Sequence, residues 1–270
     1  MANVPSIVNN YTLGRGALFF APFAPGTQTP MGERFFGDCN QIDFTFKTTD
    51  LDHYSSVAGI KELDDSISLQ VDRTGQFVTE NISPENLALF FLGSSEKLTQ
   101  ASADIPAEVV ANVEQGLYYQ LGISPTDPVG ARSLDPASAA VIKNTAGSTT
   151  YVVDDDYVVD YDLGRLFIVE GGAIAASGAQ SLKADYSLLA ATRDHIVSGD
   201  TPIEGQLHFV SFNPSGSQRD AVAPWVRITP NGNFSLIGDK FTALTFDLKM
   251  LKKANNGLQA LYIDGRGVSS

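Results

Sequence analysis

The sequence predicts a mainly β protein: an antiparallel β-sandwich or partial barrel with one flanking helix, carrying a small inserted β-sandwich domain. Three observations point there. Apolar and polar residues alternate with period two in several segments, clusters of Gly, Pro, Asn and Asp separate those segments, and one stretch shows helix-capping chemistry. At 270 residues and 43% hydrophobic content, the chain can bury a sizeable core as one large or two modest domains.

Gly14-Arg15-Gly16 admits the chain to a first strand at Ala17–Phe20. A phosphate-binding glycine loop would instead follow a strand and open a helix. Ile42, Phe44 and Phe46 then alternate with Asp43, Thr45 and Lys47, and Ile67, Leu69 and Val71 alternate with Ser68, Gln70 and Asp72. Successive side chains of a strand point to opposite faces, so each segment has one packed and one wet side. Thr48–Asp65 reads as a long charged linker, and Asp72-Arg73-Thr74-Gly75 as a turn between strands Ser66–Val71 and Gln76–Thr79. Ser83 caps a helix with Pro84 in its first turn, Glu85 at the positive end of its dipole and Gly93 closing it. Leu87, Phe90 and Phe91 form its apolar stripe. Pro230-Asn231-Gly232 predicts a turn before a strand at Phe234–Ile237, and Leu244, Phe246, Leu248 and Met250 alternate with Thr245, Asp247 and Lys249.

Between residues 117 and 195 the texture shifts toward Gly, Ala, Ser and Asp. Tyr157, Val159 and Tyr161 alternate with their neighbours, and Asp162-Leu163-Gly164-Arg165 turns the chain into Leu166–Val169 as a hairpin. Ile174, Leu182, Ala184 and Tyr186 fall in two further short strands. The economical reading is a β domain over 117–195 inserted into a discontinuous domain formed by 1–116 and 196–270.

Composition narrows the function. A formal net charge of −13 argues against a protein that grips nucleic acid by neutralising phosphates. Solubility accounts for the excess acid, and a surface past which DNA slides without sticking accounts for it equally well. The single Cys39 cannot form an internal disulfide. The start Met1–Pro5 lacks the flank and apolar run of a signal peptide, and no later stretch is apolar for long enough to span a bilayer, so a soluble protein is expected. In the acidic cluster Asp154, Asp155, Asp156, Asp160 and Asp162, a calcium loop fails its register: counted from Asp154, position five is Val158, and counted from Asp160 it is Gly164. His53, His195 and His208 show no paired metal spacing, and no nucleophile elbow or zincin motif occurs. No catalytic residue, cofactor or metal is expected.

Taken in order, Gly14–Phe20, Phe36-Gly37-Asp38, Leu51-Asp52-His53-Tyr54-Ser55-Ser56, the Pro84 helix, Pro224–Ile228, Pro230-Asn231-Gly232, Leu236-Ile237-Gly238-Asp239 and Leu244-Thr245-Phe246 resemble the tail tube, or major tail, protein of long-tailed bacteriophages. The likeness covers roughly the first hundred and last seventy residues, while the middle looks like an immunoglobulin-like insertion. The resemblance implies hexameric rings that stack into a hollow tube in the virion tail, assembled in the bacterial host cytoplasm. Its implied partners are further copies of the chain, a tape-measure protein, a baseplate or tip, a tail terminator and possibly a sheath. DNA passes through without tight binding. On this reading Asp43, Thr45, Lys47, Ser68, Gln70, Asp72, Thr245, Asp247 and Lys249 face the bore, and Leu51, Asp52, His53, Tyr54, Val57 and Ile60 contact a neighbouring subunit or ring. A β-rich adhesin or carbohydrate-binding module is the alternative that the strand-rich middle and its tyrosines allow, and a hydrolase is the third option.

Overall fold

The computed structural model describes residues 11–57, 59–174, 180–252 and 257–266, so the Met1–Pro5 start and Ala58 of the predicted linker lie outside the described residues. In chain order the first elements are β1 (Gly16–Pro22), β2 (Arg34–Phe35), β3 (Cys39–Ser55), β4 (Glu62–Thr79), α1 (Pro84–Phe90) and β5 (Ser94–Gln100). Then come β6 (Ala103–Val113), β7 (Tyr118–Gln120), β8 (Val141–Asn144), β9 (Tyr157–Asp160), β10 (Arg165–Ile168) and β11 (Gln180–Leu188). The chain ends with β12 (Ala191–Val197), β13 (Ile203–Ser211), β14 (Arg219–Asn231), β15 (Leu244–Met250) and β16 (Tyr262–Gly265). The fold is mainly β, and its antiparallel sheets are not closed into a barrel.

Two compact units result, one formed by Met1–Ser95 with Ile196–Ser270 and the other by Glu96–His195. The inserted unit thus begins at Glu96 and not at 117. The reason is pairing: β6 forms one sheet with β11 and β8, opposed by the sheet β7-β10-β9. Leu121, Ile142, Leu166, Ile168, Leu182 and Ala184 fill the space between them; the last four fall in strands that the sequence marks, and Leu121 and Ile142 do not. The β9–β10 hairpin forms as expected, with Gly164 in the left-handed turn region at φ 64°. Ile174 is fully buried but lies outside a strand.

In the other unit the strand order is β2-β1-β13-β14-β15-β4-β3, with β16 beside β14. At ~4.8 Å per strand, the four steps from β1 to β4 would span ~19 Å in a flat sheet. A single ring bridges them: Phe36 stands 6.0 Å from Phe20 of β1 and 4.8 Å from Phe77 of β4. The sheet therefore coils around its apolar face. Backbone bonds hold the same crossing, since Phe36 N donates to Leu18 O at 3.0 Å. The Phe36 carbonyl accepts from Asn86 Nδ2 at 2.9 Å and from Thr79 Oγ1 and Asn81 Nδ2 at 3.2 Å each.

Helix α1 lies against this core. Ser83 accepts the Asn86 N–H as N-cap, and Phe90 meets Phe246 edge-on at 5.8 Å. Asn86, Ala88 and Phe90 are its buried positions, whereas Leu87 is half-buried and Phe91 exposed, so the stripe is turned from the predicted one. The left-handed closing residue is Leu92 at φ 53°, not Gly93. Gly93 serves close approach instead, because a Cβ there would sit 1.7 Å from Val197 O.

Three expectations on the outer strands are corrected. Asp72–Gly75 is no turn but the middle of β4, and most of Thr48–Asp65 is strand, leaving only 56–61 as the connection. Phe234–Ile237 is loop, because β14 runs on through Pro230 to Asn231 and the chain reverses only afterwards. At the far margin, Arg266 grips Asp220 with two nitrogens, at 3.0 and 3.1 Å, and holds its carboxyl at about 2.

Replacing Phe36 by Ala should cost ~3–5 kcal/mol, the range for buried aromatic deletions, read in urea by the fluorescence of the single Trp225. Asp220 has a depressed folded-state pKa, so the stability it contributes is present above ~3.9 and is lost as pH falls through about 2. An NMR titration of its carboxyl carbon should show the low midpoint, and Arg266→Gln should move it back toward the usual carboxylate range.

Candidate functional site

Register defines the surface. Asn231, Thr245, Val78 and Gln41 form one cross-strand row; Thr229, Asp247, Gln76 and Asp43 form the next; Arg227, Lys249, Thr74 and Thr45 form a third. Asp72 opposite Lys47 and Gln70 opposite Thr49 continue the series along β4 and β3. Directly opposed residues of an antiparallel pair share a face. Eight of the nine residues predicted as bore-facing therefore lie on one polar face of one sheet.

Ser68 does not. The register steps from Thr49–Gln70 to Asp50–Ser68, which puts one extra residue, Leu69, on β4. Since β3 alternates without a break there, Asp50 and its partner Ser68 take the face opposite to Thr49 and Gln70. Ser68 Oγ donates to Asp50, and Thr48 Oγ1 lies 3.4 Å from Asp50 on the same side.

Amides, more than cations, satisfy the acids of the polar face. Asp247 Oδ1 accepts from Asn231 Nδ2 at 2.9 Å and Gln76 Nε2 at 3.3 Å; Gln41 and Gln70 each donate at 2.6 Å to Asp43 and Asp72. The Arg227 Nε donates to Glu204 at 2.9 Å, so its charge is already paired. Lys47 and Lys249 stand singly among carboxylates, and no fork of guanidiniums converges on a phosphate-sized space among the described residues. Sequence reasoning had passed over Gln41, Gln76, Asn231 and Arg227. Extending the Ile42–Lys47 alternation one step back finds Gln41; Gln76 opens a predicted strand without being assigned a face, and Asn231 reads as part of a turn.

Below this face the sheet narrows to an arm. Pairing of β15 with β4 ends at Lys249–Thr74, and from there β3 and β4 run on with only each other as partners among the described residues. A lone two-stranded ribbon is marginal in water. This one exposes Phe46, Leu51, Tyr54, Leu63, Ile67 and Leu69. Leu51 pairs with Ile67 on one face, and after a second register shift between His53 and Tyr54, Tyr54 pairs with Leu63 on the other. Ser66 Oγ donates to Asp52 at 2.7 Å and His53 Nδ1 lies 2.5 Å from Asp64, which stitches the ribbon internally. Of the predicted contact residues, Leu51, Asp52, His53 and Tyr54 are strand residues of this arm, and Val57 and Ile60 lie in its end loop. Both long edges of the arm keep unpaired backbone groups, the feature by which strands recruit other chains.

Over residues 11–261 the chain matches the family described as protein of unknown function UCP028589. The chain belongs to this family. The matched span runs through both units. A comparison with curated proteins finds no match.

The other chemistry of the chain is structural. Buried Asp156 accepts Ala173 N at 2.6 Å and Val152 N at 2.8 Å, which ties down the turn around the acidic cluster. Among the described residues no group of three or more His, Cys, Asp or Glu could hold a metal, and no helix is long and apolar enough to cross a membrane. Cys39 opens the free edge of β3, and burial, with a smaller push from Asp38, raises its thiol to about 11 against the Thr79 hydrogen bond. Its thiolate fraction at neutral pH should fall on the order of 100-fold below that of an ordinary cysteine. Ellman-type kinetics should show correspondingly slow labelling of the native chain and ordinary rates in urea.

Proposed function

We propose that this chain is the structural subunit of a bacteriophage tail tube, a protein whose activity is assembly. One observation carries the reading: the β3–β4 arm leaves the sheet with both edges unpaired and apolar side chains exposed on both faces. Apolar surface held in water costs ~25 cal/mol per Å², and a ribbon this long gains that back only by packing on something. A further copy of the chain carries the matching margins. In this reading hexameric rings form through edge pairing, stack into a hollow tube of the virion tail, and meet tape-measure, baseplate or tip, and terminator proteins at its ends.

The polar face suits the wall of such a conduit. Asp43, Asp72 and Asp247 alternate with Lys47 and Lys249, and one oxygen of each carboxylate accepts from a neighbouring amide. Phosphates in transit would find mixed, hydrated charge and few counterion-releasing contacts. The inserted unit, with a core of its own, would stand as an appended domain.

Negative-stain microscopy and sedimentation of the purified full chain should show rings and hollow tubes. Replacing Thr48–Val71 by Asn-Gly, a two-residue turn between the paired Lys47 and Asp72, should leave a monomer whose Trp225-monitored unfolding is nearly unchanged. Tubes built by the shortened chain would remove the arm from the mechanism. A full chain that stays monomeric at every concentration would sink the reading itself.

A further inference from the structure

Beyond the arm, a second apolar surface is uncovered among the described residues. The loop joining β14 to β15 exposes Leu236, Ile237 and Phe241, with Ile237 at 94% and Phe241 at 97%. It is a shaped loop: Ser235 Oγ donates to Ile237 O at 2.8 Å, and Thr242 Oγ1 to Ser235 O at 3.3 Å. Its root is anchored by Phe234, which packs edge-on to Phe91 at 5.7 Å. Beside it opens a cleft of about 640 Å³ lined by Asp38, Glu80, Asn81, Ile82, Phe241 and Thr242. The apolar walls of this cleft have an acidic rim.

Topology sets this loop and the arm tip at opposite ends of one ladder. The loop adjoins the end where Leu244 pairs with Thr79 and Thr79 with Cys39. The arm tip closes the other end of β4, whose 18 residues span roughly 60 Å at about 3.3 Å per residue. That tip carries Val57 at 96% and Ile60 at 74% exposure, followed by Lys61, which has no ion-pair partner among the described residues. Two apolar anchors and a cation thus stand at one end, and an apolar cleft rimmed by Asp38 and Glu80 stands at the other.

We propose that the arm tip of one copy docks on the β14–β15 loop and its cleft in the next copy, joining chains head to tail along the strand direction. Val57 and Ile60 pack on Ile237, Phe241 and Ile82, and Lys61 meets the acidic rim. Such a contact uses two different surfaces of the same chain, and repeated along the strand direction, where no rotation closes it into a ring, it propagates as a filament. The inference rests on the self-assembly reading above and names the surface that receives the arm.

Disulfide trapping tests it in a Cys39→Ser background. One preparation carries Ile60→Cys and another Phe241→Cys, at exposed positions whose replacement leaves the core intact. Mixed, assembled and mildly oxidised, they should give a disulfide-linked dimer that neither gives alone. In a second arm, Ile237→Ser with Phe241→Ser should raise the concentration needed for tubes at least tenfold while Trp225-monitored unfolding stays put. Tubes that form normally in the mixture without the mixed dimer would overturn head-to-tail docking and leave self-assembly standing. Absence of any polymer from the unmodified chain would overturn both.

Discussion

The crossing of Phe36 between β1 and β4 is the constraint from which the rest of the larger unit follows. Its ring fills the centre of the apolar face, and its carbonyl gathers three side-chain donors from Thr79, Asn81 and Asn86. The same segment takes up the free edge of β1, with β2 pairing at Phe19 and Phe20 and Phe36 N bonding Leu18 O. Coiling would otherwise bring β3 toward β1 and close a barrel. With that place occupied, the outer edge of β3 has no partner strand among the described residues.

An open edge is a hazard in a protein that works alone and a tool in one that assembles. The acids and lysines of β3 and β4 blunt random pairing, while the apolar residues of the arm supply area to a partner of the right shape. On the proposed reading, stability and assembly are separated along one hairpin. At its base Cys39–Thr45 pairs with β4, which pairs in turn with β15 over the Phe36 core, while the outer part has no third strand beside it among the described residues. Bulges in the outer part distribute apolar side chains to both faces, so a docking partner can enclose the ribbon and not merely cover one side.

The inserted unit obeys a different economy. Its two three-stranded sheets bury their own core, and its one buried carboxylate, Asp156, is satisfied by backbone N–H groups. Such closure gives the unit a core of its own.

Read from the chain alone, alternation at Ile42–Lys47, Ser66–Asp72 and Leu244–Met250, the capped helix at Pro84 and the β9–β10 hairpin were all legible, because each depends on residues adjacent in sequence. The polar face was legible for the same reason. What failed were features set by distant partners. Thr48–Asp65 looked like a linker because polar and charged residues dominate it, and its one bulge residue, Asp64, is a bulge only relative to the opposite strand. Gly75 looked like a turn residue, yet its bare Cα lets β4 pass Asp43 O, which a Cβ would approach to 2.5 Å. The start of the insertion was hidden because β6 finds its partner β11 some seventy residues later. Sequence by itself marked several of the strands, with their wet and dry sides, and the presence of an inserted unit. Tertiary structure decided register, the side taken by Ser68 and the unpaired edges, since these are relations between segments that only coiling around Phe36 brings together.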